Sequence, residues 1–318
     1  MEKDVIKLIE KYDSIVIHRH TRPDMDAIGS QMGLYHLIKE NYPLKKVYKV
    51  GDENNLVYET SMDVISDDIF KESLSIIIDT AVVALVSDDR YNLAKEVLVI
   101  DHHRNACDVP NTSLFYQLSD FSSACEMLAH FAKKMDLKVS SKAATYIYGG
   151  MVTDTGRFQY IDNVTAPRVF ANASFITQFG PNIKGMYDFL YTEDLADRVS
   201  KDLFRSFDLT SNNVAYRKNT NEMILESGLS IFRVSRGMVN LMAGIKEVPI
   251  WVSFTEDVEN NKILTEIRSR DIVVVDIATK YGGGGHNFAC GASLKDFAEA
   301  ELLLNDLNER VKENGNLK

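Results

Sequence analysis

The apolar run Val97-Leu98-Val99-Ile100 stops abruptly at Asp101-His102-His103. A short, mostly β-branched run of this kind reads as a buried strand, which places the charged triplet at its C-terminal edge. In open α/β sheets that edge is where ligands bind. Three further runs end in the same way. Ser14-Ile15-Val16-Ile17 leads into His18-Arg19-His20-Thr21-Arg22-Pro23-Asp24-Met25-Asp26, Leu74-Ser75-Ile76-Ile77-Ile78 leads into Asp79-Thr80-Ala81, and residues 146–152 lead into Thr153-Asp154-Thr155-Gly156. Four strand-like segments are thus expected to deliver Asp and His to one edge. Carboxylates in that position are costly to desolvate unless paired or metal-bound, so the pattern is the chemistry of a divalent metal centre.

The bulk numbers narrow the partners of such a centre. A chain of 318 residues, with 45% hydrophobic and 26% charged content, is long enough for two domains with cores of their own. No stretch approaches the roughly 18 apolar residues of a membrane span, and Met1-Glu2-Lys3-Asp4 lacks the layout of a signal peptide. The three cysteines, Cys107, Cys125 and Cys290, are odd in number and form no C-x-x-C pair, which argues against a disulfide framework or a zinc site. The expectation is a cytoplasmic protein with no membrane partner. A net charge of −10 repels long duplex nucleic acid, whose binding rests on Lys and Arg neutralising phosphates. Carboxylates around a metal pair are neutralised by the ions themselves, so a small anionic substrate remains compatible.

In the first half, strand-like runs alternate with helical patterns, which implies α/β architecture with a parallel sheet. Ala27, Met32, Leu34, Tyr35 and Ile38 mark one helix; Phe121, Cys125, Leu128, Ala132 and Met135 mark another. Residues 166–208 look helical throughout, with 193–208 as a connecting helix. The expected division is a catalytic, metal-binding domain over 1–190, a connecting helix over 191–210, and a smaller α/β substrate-binding domain over 211–318. In the latter, Val214-Ala215-Tyr216 and Met223-Ile224-Leu225 look like strands around a polar turn, and residues 235–243 like a helix. Ile250-Trp251-Val252-Ser253-Phe254 and Ile263-Leu264-Thr265-Glu266-Ile267 form a hairpin pattern. Residues 273–281 suggest a helix running into Gly282-Gly283-Gly284-Gly285-His286, and 296–311 an amphipathic helix.

Each candidate residue has a plainer alternative. Pro23 fixes a turn that can fold His20, Asp24 and Asp26 towards one point, where oxygen and imidazole donors suit Mn²⁺, Mg²⁺ or Fe²⁺. The alternative is a polar loop with Asp26 as a helix N-cap. Asp79 and Asp154 could each simply cap a turn. His102 and His103 would face opposite ways on a strand, whereas beyond a strand end the loop can turn both to one site. Four glycines before His286 free the backbone to approach an anion, without the Gly-Lys-Ser/Thr of a phosphate-binding P-loop; a plain connector is the alternative. Arg268-Ser269-Arg270 could grip phosphate bidentately or be a solvated strand end.

Taken together, these residues resemble the DHH phosphoesterases. His20-Thr21-Arg22-Pro23-Asp24-Met25-Asp26-Ala27-Ile28-Gly29-Ser30 is similar to motif I, Asp79-Thr80-Ala81 to motif II, Asp101-His102-His103 to the naming motif and Thr153-Asp154-Thr155-Gly156 to motif IV. Gly282 to His286 and Arg268-Ser269-Arg270 resemble the signature of the DHH-associated C-terminal domain. Arg104-Asn105 stand where the family often has a proline. The compact length is similar to the oligoribonuclease (nanoRNase) and pAp phosphatase branch. The resemblance implies an active site in the cleft between the two domains and two Mn²⁺ ions, with Mg²⁺ or Fe²⁺ as substitutes. His20, Asp24 and Asp79 would hold one ion; Asp26, Asp79, His102 and Asp154 would hold the other, with Asp79 bridging. His103 would contact the scissile phosphate and Asp101 would orient the histidines. Arg268, Ser269, Gly282, Gly283, Gly284, Gly285 and His286 would bind the rest of the substrate. The implied activity is hydrolysis of very short oligoribonucleotides to mononucleotides, with pAp dephosphorylation as an added activity. Hydrolysis of pApA or cyclic-di-AMP is the alternative, and a non-catalytic nucleotide-binding regulator is the rival of another class. A homodimer is left open.

Overall fold

The structure, a computed structural model, describes residues 1–52 and 61–315. The chain divides into two compact units, Met1–Thr192 and Glu193–Lys318.

The first unit runs α1 (Glu2–Lys11), β1 (Ser14–His18), α2 (Met25–Asn41), β2 (Lys46–Lys49), α3 (Asp67–Glu72), β3 (Leu74–Ile78), β4 (Glu96–Asp101), β5 (Thr112–Gln117), α4 (Ala124–Lys134), α5 (Ser141–Asp154), α6 (Ala166–Thr177) and α7 (Ile183–Tyr191). Its strands form one sheet in the order β2-β1-β3-β4-β5, parallel throughout. β3 is buried along its whole length and β4 along all but its first residue. Continuous apolar runs of this kind suit strands covered on both faces. The order reverses at β1, which has β2 on one side and β3 on the other. Such a switch point opens a crevice at the C-terminal strand ends. The register pairs His18 with Ile77 and Ile78 with Ile100, so the segments leaving β1, β3 and β4 emerge side by side.

Residues 146–152 do not form the expected strand. They lie inside α5, whose N-terminus is capped by Ser140 Oγ accepting from Ala143 N at 3.2 Å. A short apolar run is equally compatible with a buried strand and a buried helix, and here packing against α2 decides for helix. The approach is close enough that a Cβ on Gly150 would stand 2.8 Å from Asp26 Oδ1. Asp154 is therefore the last residue of a helix. Three strand ends and one helix end converge, not four strand ends.

The second unit runs α8 (Leu195–Asp202), β6 (Asp208–Leu209), β7 (Val214–Asn219), α9 (Asn221–Ser227), α10 (Ile231–Met238), β8 (Ile250–Asp257), β9 (Lys262–Ser269), α11 (Val275–Lys280), β10 (Gly284–His286), β11 (Ala289–Leu294) and α12 (Phe297–Gly315). The sheet order is β10-β11-β9-β8-β7-β6, mixed, with β7 and β8 parallel. The β8–β9 hairpin matches the sequence expectation, pairing Ile250 with Ser269 through to Asp257 with Lys262.

Three local expectations change in this unit. Residues 223–225 are helical within α9, because Thr220 Oγ1 accepts from Met223 N at 3.4 Å and starts a helix there. The helix expected at 235–243 begins earlier, at Ile231 behind the Ser230 cap, and ends in a 3-10 turn over Val239–Met242. The connecting helix over 191–210 shrinks to α8. Arg217 Nη2 takes the Leu203 carbonyl at 3.1 Å and its guanidinium lies 5.2 Å from the centre of the buried Phe204 ring, so the chain turns into the sheet. The glycine run is a turn that becomes an edge strand, β10, with Gly285 at φ +134°, a backbone region that glycine tolerates. Among the described residues no helix is long and apolar enough to cross a membrane.

Candidate metal centre

The loop after β1 is pinned before it reaches the site. His20 bridges to Val86, and Thr21 N donates to Leu85 O at 2.6 Å. Asp24, not Asp26, is the N-cap of α2, accepting from Ala27 N at 3.0 Å through Oδ1. Asp26 lies in the first turn, fully buried. Its two oxygens accept from the first amides of α4, Cys125 N at 2.9 Å and Ala124 N at 2.7 Å, where the helix dipole favours negative charge.

Asp79 follows β3 directly and is held at φ +64°. That region is unusual for a residue with a side chain, and such strain collects at functional sites. Its amide donates to Ile100 O at 2.9 Å, which ties it to β4. The two oxygens of Asp79 face different ways: Oδ2 is 3.5 Å from His20 Nε2, and Oδ1 is 3.5 Å from His102 Nε2. His20 Nε2 is also 3.8 Å from Asp24 Oδ1. His102 Nε2 is 3.9 Å from Asp26 Oδ2 and 3.7 Å from Asp154 Oδ2. Two groups, His20–Asp24–Asp79 and Asp26–His102–Asp154, each bring donor atoms within 4.8 Å of one another.

The imidazoles are oriented by their other nitrogens. His20 Nδ1 is 2.8 Å from Thr21 O, and His102 Nδ1 is 3.3 Å from Phe121 O. A carbonyl accepts only, so each Nδ1 carries the proton and each Nε2 presents a lone pair to the carboxylates. His102 and His103 lie beyond the end of β4, with ring centres 4.2 Å apart, so strand alternation no longer separates them. A third group, Asp79–His102–His103, also has donor atoms within 4.8 Å of one another. The His103 atom nearest Asp79, however, is Nδ1 at 3.9 Å, and it is committed to Asp101 Oδ1 at 2.7 Å. Asp101 Oδ1 also accepts from His103 N at 3.2 Å, and Gln117 Nε2 donates to Asn105 O at 2.9 Å, which fixes the turn.

The electrostatics are those of anions lacking a counter-charge. Burial, then the neighbouring Asp26, Asp24, Asp154 and Asp101 carboxylates, push Asp79 well above the usual carboxylate range. Burial followed by Asp26 and Asp24 does the same to Asp154, and burial raises Asp26. Asp79 Oδ1 and His102 Nε2 are both buried and lack a hydrogen-bond partner among the described residues. Buried polar atoms are nearly always satisfied, so oxygen and nitrogen donors converging here fit divalent cations. Cys125 packs against Asp26, yet burial and that carboxylate raise its thiol well above its ordinary value. It stays neutral, outside the donor set. The Asp101 hydrogen bond raises the His103 pKa.

Several functional contacts escaped the sequence reading. The N-terminus of α4 behind Asp26, the Phe121 carbonyl behind His102, and the Glu126–Arg168 pair behind both were not singled out. The available signal was Ser123-x-x-Glu126, a helix-start pattern; Ser123 Oγ accepts from Glu126 N at 2.9 Å.

In the second unit, Ala289 pairs with Arg268 on one side and with His286 on the other. Directly paired residues share a sheet face, so Arg268 and His286 lie in one row. Arg268 Nη2 is 3.0 Å from Glu266 Oε2, and Nη1 donates to Ile267 O at 2.9 Å. Ser269 is buried and its hydroxyl donates to Ile272 O. Gly284 and Gly285 belong to β10, and Gly282 and Gly283 to the turn before it.

Residues 14–151 match the DHH family, N-terminal domain, and residues 232–313 match the DHHA1 domain. Among curated relatives, the bifunctional oligoribonuclease and PAP phosphatase NrnA of Bacillus subtilis is 32% identical, covering 98% of this chain and 99% of that protein. The NrnA of Mycoplasma genitalium is 34% identical, covering 97% of each. Among solved structures, an exopolyphosphatase-related protein from Bacteroides fragilis superposes with a TM-score of 0.83 at 24% identity, covering 98% of this chain and 97% of that one, which shows a shared fold. With relatives this similar along both full lengths and one domain match in each unit, the chain belongs to the DHH family, as a member that carries a DHHA1 domain.

Proposed function

We propose that this protein is a two-cation phosphodiesterase that hydrolyses very short oligoribonucleotides to mononucleotides and also dephosphorylates pAp. The observation that carries the chemistry is Asp79, whose two oxygens face two separate His/Asp groups at 3.5 Å each. The relatives named NrnA support the substrate class. His20, Asp24 and Asp79 would hold one ion, and Asp26, Asp79, His102 and Asp154 the other; the oxygen-rich set favours Mn²⁺, with Mg²⁺ or Fe²⁺ as substitutes. When bound, such a pair supplies a nucleophile at neutral pH and neutralises charge on the phosphoryl oxygens. The chain's own residues do the rest. Asp101 keeps His103 oriented and favours its protonated form, so His103 donates to a phosphate oxygen as charge develops there. Residues 1–190 would carry this chemistry. Residues 211–318, through Arg268, Ser269, Gly282 to Gly285 and His286, would hold the remainder of the substrate.

The deciding experiment uses chelator-stripped protein, replenished separately with Mn²⁺, Mg²⁺ and Fe²⁺. pApA, RNA of two to five nucleotides, pAp and cyclic-di-AMP are compared side by side. AMP should appear from pApA and from the short RNAs faster than from cyclic-di-AMP. Binding without turnover in every metal would instead identify a nucleotide-binding regulator.

Grip should separate from chemistry. A charge-assisted phosphate contact contributes roughly 1.5–3 kcal/mol, so Arg268→Ala should lower catalytic efficiency on pApA by about one to two decades. A small chromogenic diester has no second phosphate to anchor and should be nearly unaffected. Equal losses on both substrates would remove Arg268 from substrate binding.

A further inference from the structure

Behind the Asp26 and His102 carboxylate–imidazole pair sits a second layer of charge. Glu126, fully buried on α4, is saturated: Oε1 accepts from Arg168 Nε at 2.9 Å and Asn172 Nδ2 at 3.0 Å, and Oε2 accepts from Ser122 N at 2.8 Å and Ser122 Oγ at 2.9 Å. Arg168, on α6, reaches over the same turn. Its Nη1 is 3.1 Å from Asp120 Oδ2, its Nη2 donates to the Asp120 carbonyl, and its guanidinium lies 4.1 Å from the centre of the Phe121 ring. Residues 120–122 are thus held by a guanidinium and by a carboxylate that are themselves paired.

That turn makes two contacts with the centre. The Phe121 carbonyl accepts from His102 Nδ1, and the amides of Ala124 and Cys125 immediately after it hold both oxygens of Asp26. The other half is supported elsewhere: His20 by Thr21 O and Asp24 by Ala27 N. We propose that Arg168, acting through Glu126 and the turn at 120–123, is a positioning residue for the Asp26–His102 half of the centre and not for the His20–Asp24 half. This rests on the two-cation reading above. Arg168 touches no proposed ligand; it sets where a ligand's backbone partner stands, and such outer partners typically change metal affinity by about 10–100-fold.

The test has one readout with metal and one without. Metal-free wild type titrated with Mn²⁺ should take two ions per chain and develop a spin-coupled electron paramagnetic resonance signal. Arg168→Gln should bind one ion as tightly as wild type and the other about 10–100-fold more weakly, with the coupled signal recovering at high Mn²⁺. Arg168→Lys, which keeps a cation facing Glu126, should recover part of the loss. Without metal, amide hydrogen exchange at Ala124 and Cys125 should accelerate at least about ten-fold in Arg168→Gln, while that of Ala27 should not change. If Arg168→Gln fails to fold, Ser122→Ala removes one hydrogen bond to the same carboxylate and should show the same selectivity with smaller amplitude. Equal weakening of both ions, or uniform acceleration of all three amides, would overturn the proposal. If wild type takes fewer than two ions, the two-cation reading falls, and the amide exchange still decides whether Arg168 positions this turn.

Discussion

Asp79→Asn is expected to abolish turnover and paired-cation binding while making the metal-free protein more stable at neutral pH. Asparagine keeps the side-chain shape and tolerates the left-handed backbone at φ +64°, which alanine would occupy under strain. Loss of a preorganised electrostatic group of this kind lowers turnover by about 10²–10³-fold, and loss of the bridging carboxylate should exceed that. The stability change has the opposite sign. The unfolded carboxyl ionises near pH 3.9, whereas burial and the surrounding carboxylates raise the folded group well above that value. Between the two, the native state binds more protons than the unfolded state, so the stability of metal-free wild type falls as pH rises. The amide does not titrate. Its advantage should be absent below the unfolded value and grow until the folded carboxyl ionises. Thermal midpoints of chelator-treated proteins from pH 4 to 8 measure it, at about 2–4 °C for each kcal/mol. A gap that is constant across this range, or a variant less stable at pH 8, would sink the reading of Asp79 as a destabilised ligand.

His102→Ala and His103→Ala should fail in different ways although the residues are adjacent. His102 Nε2 faces Asp26, Asp79 and Asp154, so its removal should cost bound metal. In His103, Nδ1 is held by Asp101, so its removal should leave metal content at the wild-type level and reduce turnover. A positioned proton donor is worth about 10²–10⁴-fold, and the defect should lie in kcat rather than in metal affinity. Elemental analysis of both purified variants, with kinetics at saturating Mn²⁺, separates the two roles. Equal metal loss in both would place His103 among the ligands instead.

The residues of the candidate centre were legible because strand ends announce themselves. An apolar run that ends in Asp or His is costly to bury without a partner, and the runs 14–17, 74–78 and 97–100 all lie within strands, as expected. Asp154 was found for a wrong local reason. Residues 146–152 are helical, since their apolar content fixes burial without fixing backbone shape. Asp26 was picked out as a candidate ligand and also weighed as a helix cap; the cap is Asp24. In the second unit, Arg268 and His286 were read as substrate-binding residues and lie in one row of the sheet, but the Glu266 partner of Arg268 and the bonded hydroxyl of Ser269 were not anticipated. Both contacts are local, two and three residues apart, but residue spacing does not specify the side-chain rotamers that make them.

By itself the sequence determined which residue types make up the candidate centre, the parallel α/β plan of the first unit, and the family resemblance, because motif spacing and hydrophobic periodicity are local properties of a chain. Tertiary structure alone decided that the two oxygens of Asp79 divide between His20 and His102, that Asp26 rests on the first amides of α4, and that Nε2 of His20 and of His102 faces the carboxylates. Each depends on segments up to about a hundred residues apart in sequence meeting at hydrogen-bond distance, as Asp26 and Cys125 do. A directional bond of a few ångströms is set by how the helices and strands pack, and neither composition nor spacing contains that information.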